Sequence, residues 1–184
     1  MTLLLDSLGW LGSGLYIVAH AWITVLKRPA AKAYYWMNVA AALALVVSSA
    51  LLASWQPVFI NGFWALISLA ALGGVTLPRL PLTNRWLAAI VISLFISGAA
   101  CVLLGLTFGW SLLAWSSVVA FCLSYWRFSA KRLSQAQYFM FSAYAAFILL
   151  PQLYFDQNWP VFALEVVWGS LSVMGLWQAR HAIK

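Results

Sequence analysis

Seven apolar runs, each about twenty residues long, divide this chain at roughly 8–26, 34–54, 58–77, 86–106, 110–128, 135–154 and 159–179. A helix needs about 20 apolar residues to cross the hydrocarbon of a bilayer, at 1.5 Å of rise per residue. Strands do not fit, because the runs are too long and do not alternate with period two. The gaps are short and polar, with Pro57, Pro78, Pro81 and Pro160 at or near boundaries, where a helix start or stop tolerates proline. The reading is an all-α integral membrane protein of seven transmembrane helices. With 65% hydrophobic and 7% charged residues among 184, no soluble fold of this size could hide its apolar surface from water. The length fits a single membrane domain, residues 1–184, with little left for a soluble one. The chain start lacks a basic n-region and a clear small-residue cleavage site, so it reads as a first helix rather than a removed signal.

Charge placement sets the expected orientation. The net charge is +7, and Lys and Arg occupy only the gaps: Lys27, Arg28 and Lys32; Arg79 and Arg85; Arg127, Lys131 and Arg132; Arg180 and Lys184. Threading seven helices puts all ten on one side and Asp6 and Asp156 on the other. The positive-inside rule then places the N-terminus outside and the C-terminus in the cytoplasm. No basic stripe on a soluble element offers a nucleic-acid surface. Tryptophan supports the threading. Trp10, Trp55, Trp110, Trp115 and Trp159 fall near the outer interface, and Trp22, Trp36, Trp86, Trp126 and Trp177 near the inner one. Indole suits both layers, being apolar with one N–H that prefers the wet headgroup region. Trp64 and Trp168 fit neither belt.

Sliding the chain against itself by 104 residues matches Ser13 with Ser117, Trp22 with Trp126, Lys27–Arg28 with Lys131–Arg132, and Tyr34 with Tyr138. Ala41–Ala42 then meets Ala145–Ala146, Leu45 meets Leu149, Trp55 meets Trp159, Trp64 meets Trp168, and Ser68 meets Ser172. Apolar coincidences are cheap in a membrane chain, but three Trp pairs and a shared Lys-Arg pair are not. The expected organisation is a three-helix repeat at 8–77, a linker helix at 86–106, and a second repeat at 110–179. An offset of four helices preserves direction across the membrane, so the repeats are parallel, about an axis along the membrane normal. The Ser97-Gly98-Ala99-Ala100-Cys101 stretch of the linker suits close helix packing.

This plan resembles the three-plus-one-plus-three architecture of SWEETs, PQ-loop proteins and the PnuC vitamin transporters. The Lys-Arg loop, the aromatic start of the second helix, the Trp-Pro turn and the closing polar-x-x-Trp-x-x-x-Ser resemble small uncharacterised bacterial membrane proteins carrying this unit singly or twice. The resemblance covers residues 8–72 and 112–176. Pro151-Gln152 spells the dipeptide that names the PQ-loop family, but it sits in the second helix of its unit rather than the first. That role is not carried over, nor is a complete PnuC substrate signature present. The SWEET resemblance implies a mid-membrane substrate site between the repeats, using Asn and Trp of the third and seventh helices. Asn61 matches in type. Glu165 departs from the symmetric Asn pair, which favours a cationic solute or proton coupling over a neutral sugar.

Glu165 is the only acid within an apolar run, about 9 Å into the seventh helix. Asn61 is its repeat mate. Each is followed three residues on by Trp and four further by Ser, a spacing that puts all three side chains on one helix face. An intramembrane carboxylate costs several kcal/mol or changes protonation, so it is a functional candidate by default. A structural tie to a neighbouring helix is the competing reading, and packing is the competing reading for the two Trp. Asn38 and Ser142 form a second repeat-related polar pair, with Tyr144, Gln152 and Tyr154 adding donors in the second repeat. His20 could titrate near neutrality and is a second proton-coupling candidate beside Glu165, although packing accounts for it as well. Gly9, Gly12 and Gly14 imitate a phosphate loop without the preceding strand, and helix packing explains them. Cys101 and Cys122 lack metal or redox spacing and read as apolar filler.

No HExxH, paired carboxylates, nucleophile elbow or cofactor-binding signature occurs, so neither an enzyme nor a cofactor or metal is expected. The expected function is a small-solute transporter or facilitator with its site between the repeats, in a bacterial inner (plasma) membrane. Its site residues would be Asn61, Trp64, Glu165, Trp168, Asn38 and Ser142. Its partners would be the lipid bilayer and a cationic or ring-bearing small molecule, with homo-oligomerisation left open and nucleic acid excluded. The alternative is a non-catalytic membrane scaffold or accessory subunit.

Overall fold

The computed structural model describes residues 2–24, 32–78 and 81–181, with the side chains of 2–6, 20–24, 180 and 181 outside that description. Seven helices run through these residues: α1 (Thr2–Thr24), α2 (Lys32–Leu51), α3 (Trp55–Leu72), α4 (Asn84–Leu103), α5 (Phe108–Ser129), α6 (Gln135–Phe155) and α7 (Trp159–His181). Six of them, α2 to α7, are long and apolar enough to cross a membrane, and the described part of α1 contributes the apolar stretch Ser7–Ala19.

The helix ends correct the sequence reading in places. Helix α3 starts at Trp55 rather than 58, which puts Pro57 inside its first turn, where the missing N–H has no intrahelical partner to lose. It stops at Leu72 rather than 77. Gly74 there takes a φ of +67°, and Val75 N–H returns to Ala70 O at 2.8 Å, closing the helix although Val75 and Leu77 extend the apolar run. Gly105, at φ +75°, ends α4 in the same manner, with Leu106 N–H on Cys101 O at 2.9 Å. Pro151 lies inside α6.

The distribution of side chains is that of a chain solvated by lipid. Large apolar groups face outward: Leu66, Leu103, Leu104, Trp86 and Trp177 are all more than three-fifths exposed. Small and polar groups face inward, with Ser49, Ser54, Ser116, Ser117, Ser124 and Ser142 fully buried beside Ala41, Ala42, Ala145 and Ala146. Water would reverse that sorting, whereas helices in lipid associate through close contacts of small residues and interhelical hydrogen bonds. Helix α4 carries the pattern furthest, burying only Leu87, Val91 and Gly98.

Two compact units make up the chain. The first comprises Met1–Thr76 with Asp156–Leu164, and the second Leu77–Phe155 with Glu165–Lys184. In the first, α2 packs on both α1 and α3. Gly12 makes the α1–α2 contact possible, since a Cβ there would lie 2.8 Å from Leu45 Cγ and 3.0 Å from Ala41 O. In the second, α5 packs on both α4 and α6. A Cβ on Gly109 would stand 2.6 Å from Val102 N and 2.8 Å from Gly98 O, so α4 and α5 meet backbone to backbone. The small-residue stretch of α4 has the use expected of it. Gly169 and Gly175 of α7 receive the rings of Phe147 and Phe139 from α6.

Candidate functional site

Helix α7 buries one stripe, with Val161, Leu164, Glu165 and Ser172 inside and Trp168 half-buried, the three-and-four spacing of a helix face. Glu165 is 6% exposed, and its Oε2 is buried without a hydrogen-bond partner. A buried acceptor left unmade costs about 1–3 kcal/mol, more if charged, so native structures keep few of them. One turn along, Trp168 Nε1 donates to Ser142 Oγ of α6 at 3.3 Å, with Ser142 fully buried. Two sequence-named residues, Trp168 and Ser142, are thus in contact, and Glu165 lies on the same stripe of α7. Also in the second unit, Ser116 Oγ and Tyr144 Oη share a hydrogen bond of 2.6 Å.

The matching residues of the first unit are satisfied differently. Asn61 Nδ2 donates to Pro57 O at 2.9 Å, and Asn38 Nδ2 donates to Tyr34 O at 2.8 Å. Both bonds run four residues back along the residue's own helix. A carbonyl has two lone pairs, so Pro57 O can take the amide beside its helical bond. Trp64 is half-buried and sits edge-on to Phe63, with ring centroids 6.5 Å apart. His20, the second proton-coupling candidate, has its side chain outside the described residues, as does Trp22; Lys27, Arg28 and Arg79 lie outside them entirely.

Two polar clusters were not foreseen. In the first unit, Asn158 is fully buried and its Nδ2 donates to Ser49 Oγ at 2.9 Å, while its Oδ1 is buried without a partner. Ser54 Oγ donates to Asp156 Oδ2 at 2.5 Å, and Ser13 Oγ to Pro160 O at 2.8 Å. Ser54 and Asn158 are repeat mates placed just before α3 and α7. Ser54 makes no side-chain cap to α3 and turns to Asp156 instead. In the second unit, Arg127 is 7% exposed and gives its Nε and Nη2 to Asn84 Oδ1, at 2.9 and 2.5 Å.

These helices, six of them long and apolar enough to span a bilayer, with polar groups turned inward, fit the class of multi-pass helical membrane proteins. One protein-family model matches the chain twice, over residues 5–79 and 110–182, in the register of the internal repeat. The chain belongs to that family and carries its unit in two copies. No curated protein matches the chain, and no solved structure does.

Proposed function

We propose that the protein is a small-solute transporter or facilitator of SWEET-like and PnuC-like plan rather than an enzyme. It sits in a bacterial inner (plasma) membrane with its N-terminus outside and its C-terminus cytoplasmic. Glu165 is the group that engages a cationic solute or a coupling proton. Trp168 and Ser142 stand with it in the second unit, and Asn61, Trp64 and Asn38 hold the corresponding positions of the first. The observation that carries this reading is the buried, unpartnered Oε2 of Glu165. A carboxylate serving as a tie between helices would have both oxygens occupied, because the tie is the reason to keep it. An oxygen left open inside a lipid-solvated chain is what a transient ligand requires.

The test is uptake into proteoliposomes across a panel of amines, ring-bearing solutes and neutral sugars, with and without a proton gradient. Losing a charge-assisted bond corresponds to about 1.5–3 kcal/mol, so Glu165→Gln should lower flux about tenfold or more. The duplicated variant Glu165→Asn should shift preference from cationic to neutral solutes. A folded wild-type protein that moves nothing in the panel, and purifies with a stoichiometric membrane partner, would instead be an accessory subunit.

A further inference from the structure

The second unit contains a feature that transport by Glu165 does not use. Helix α4 is preceded by Pro81-Leu82-Thr83, and Thr83 caps it, its Oγ1 accepting from Trp86 N at 3.3 Å. This segment is fixed to the end of α5 by two neighbouring residues. Trp126 Nε1 donates to Pro78 O at 2.7 Å, and the Arg127 guanidinium holds Asn84 Oδ1. Beyond Arg127 the chain turns back through Lys131 at φ +56°, with Arg132 N–H on Arg127 O at 2.8 Å, which keeps Arg132 beside Arg127. An open cavity of about 680 Å³ results, lined by Pro81, Leu82, Thr83, Asn84, Arg85, Arg127 and Arg132.

Among the described residues, three guanidinium groups line this cavity and no carboxylate does. The chain has only three acids, Asp6, Asp156 and Glu165, and neither Asp156 nor Glu165 is in the lining. Asn84 Oδ1 satisfies two of the five Arg127 donors and none of its charge. A nine-tenths buried cation held, among the described residues, by a neutral amide, with two like charges around the same space, is unfavourable until an anion joins it. An arginine that merely anchors a helix in the headgroup layer extends toward water, and Arg127 does not. The start of α4 adds the positive end of a twenty-residue helix. All three cations are arginine, whose planar fork fits paired phosphate oxygens, while Lys131 is left outside the lining. The site has no twin in the first repeat, where Ile23 holds the place of Arg127 and nothing corresponds to α4.

From this arrangement we infer that the cavity binds a phosphate-bearing anion through Arg85, Arg127 and Arg132, either the headgroup of an anionic phospholipid or a soluble phosphate. The test uses the full chain in neutral detergent. Thermal unfolding is followed during titration with phosphatidylglycerol, phosphatidylcholine or inorganic phosphate. Phosphatidylglycerol should raise the midpoint and phosphatidylcholine should not. Arg85 and Arg132 are exposed, so the double variant Arg85→Gln/Arg132→Gln keeps the fold and should weaken half-saturation about tenfold or more. Arg127→Lys, which keeps the charge but not the fork, should weaken it less. If phosphate acts alone as well as phosphatidylglycerol, and the double variant abolishes both shifts, the site stands and belongs to a soluble anion. Equal shifts from the two lipids, or a phosphatidylglycerol shift that survives in the double variant, would overturn it.

Discussion

Asn61 in α3 and Glu165 in α7 occupy the same place in two copies of one unit, and both are buried to about 5% exposure. Asn61 returns its amide to a carbonyl four residues back; Glu165 leaves an oxygen unmade. The same divergence runs through the helix contacts. Gly12 lets α1 approach Leu45 and Ala41 of α2 by having no side chain. Its mate Ser116 bonds Leu113 O at 2.5 Å and Tyr144 Oη at 2.6 Å. At these two positions the first copy has a small group and a self-satisfied amide. The second fills the corresponding positions with polar side chains. The two copies thus share a scaffold and differ in how these inward-facing positions are satisfied.

Exchanging the crossing residues tests this difference most strongly. Gly12→Ser places a Cβ 2.8 Å from Leu45 Cγ, an overpacking that costs about 3 kcal/mol. In a chain of this size that corresponds to a midpoint lower by roughly 6–12 °C. The reverse exchange, Ser116→Gly, removes hydrogen bonds and adds a flexible helix residue, for about 1 kcal/mol. Equal losses from the two variants would mean that the copies pack alike. At the site itself the two substitutions should differ in sign. Glu165→Met removes a buried unmade acceptor and should raise stability by about 1–2 kcal/mol while transport falls. Asn61→Leu gives up its bond to Pro57 O and should be neutral or destabilising by up to about 1 kcal/mol. If Glu165→Met lowers the midpoint, the carboxyl is a structural tie and the proposed transport role loses its support.

The helix count and the 104-residue register were legible because the length of an apolar run and the spacing of Trp and Lys-Arg pairs depend on sequence position alone. Where α3 stops was less so. Val75 and Leu77 continue the apolar run, and Gly73-Gly74 ends the helix by backbone geometry that hydropathy does not register. The face shared by Glu165, Trp168 and Ser172 followed from helical spacing. That Trp168 meets Ser142, while Asn38 and Asn61 turn to their own helices, depends on rotamers and on how neighbouring helices are rotated. Arg127 was hidden for a related reason. At the end of an apolar run it reads as one more loop cation, and only the extension of α5 to Ser129, with Asn84 brought up from α4, encloses it. Buried serine pairs are similarly silent in sequence. Ser13 and Ser117 are repeat mates, and each donates to a carbonyl at 2.8 Å, Pro160 O in one case and Ala145 O in the other. Alanine at either position should cost about 0.6 kcal/mol, the average for such bonds in membrane helices.

The smallest effect examines where the two copies agree. Ala53 and Gln157 are repeat mates, and both take a φ of +54° in the turns before α3 and α7. Neither is glycine, although a left-handed conformation costs an L-residue about 1–2 kcal/mol. Both side chains are exposed, so replacing them sacrifices little packing. Glycine relieves the strain but widens the unfolded ensemble, at about 0.4–1 kcal/mol. Ala53→Gly and Gln157→Gly should therefore each stabilise by about 0.5 kcal/mol, and the two gains should agree within the few tenths that thermal unfolding resolves. Because Ser54 Oγ on Asp156 Oδ2 ties the two turns together, the departure of the double variant from the sum measures their coupling. A gain at one turn and a loss at the other would show that the shared φ is reached through different local contacts. The turns would then have diverged along with the helix faces they connect, and the common scaffold would reduce to the helices themselves.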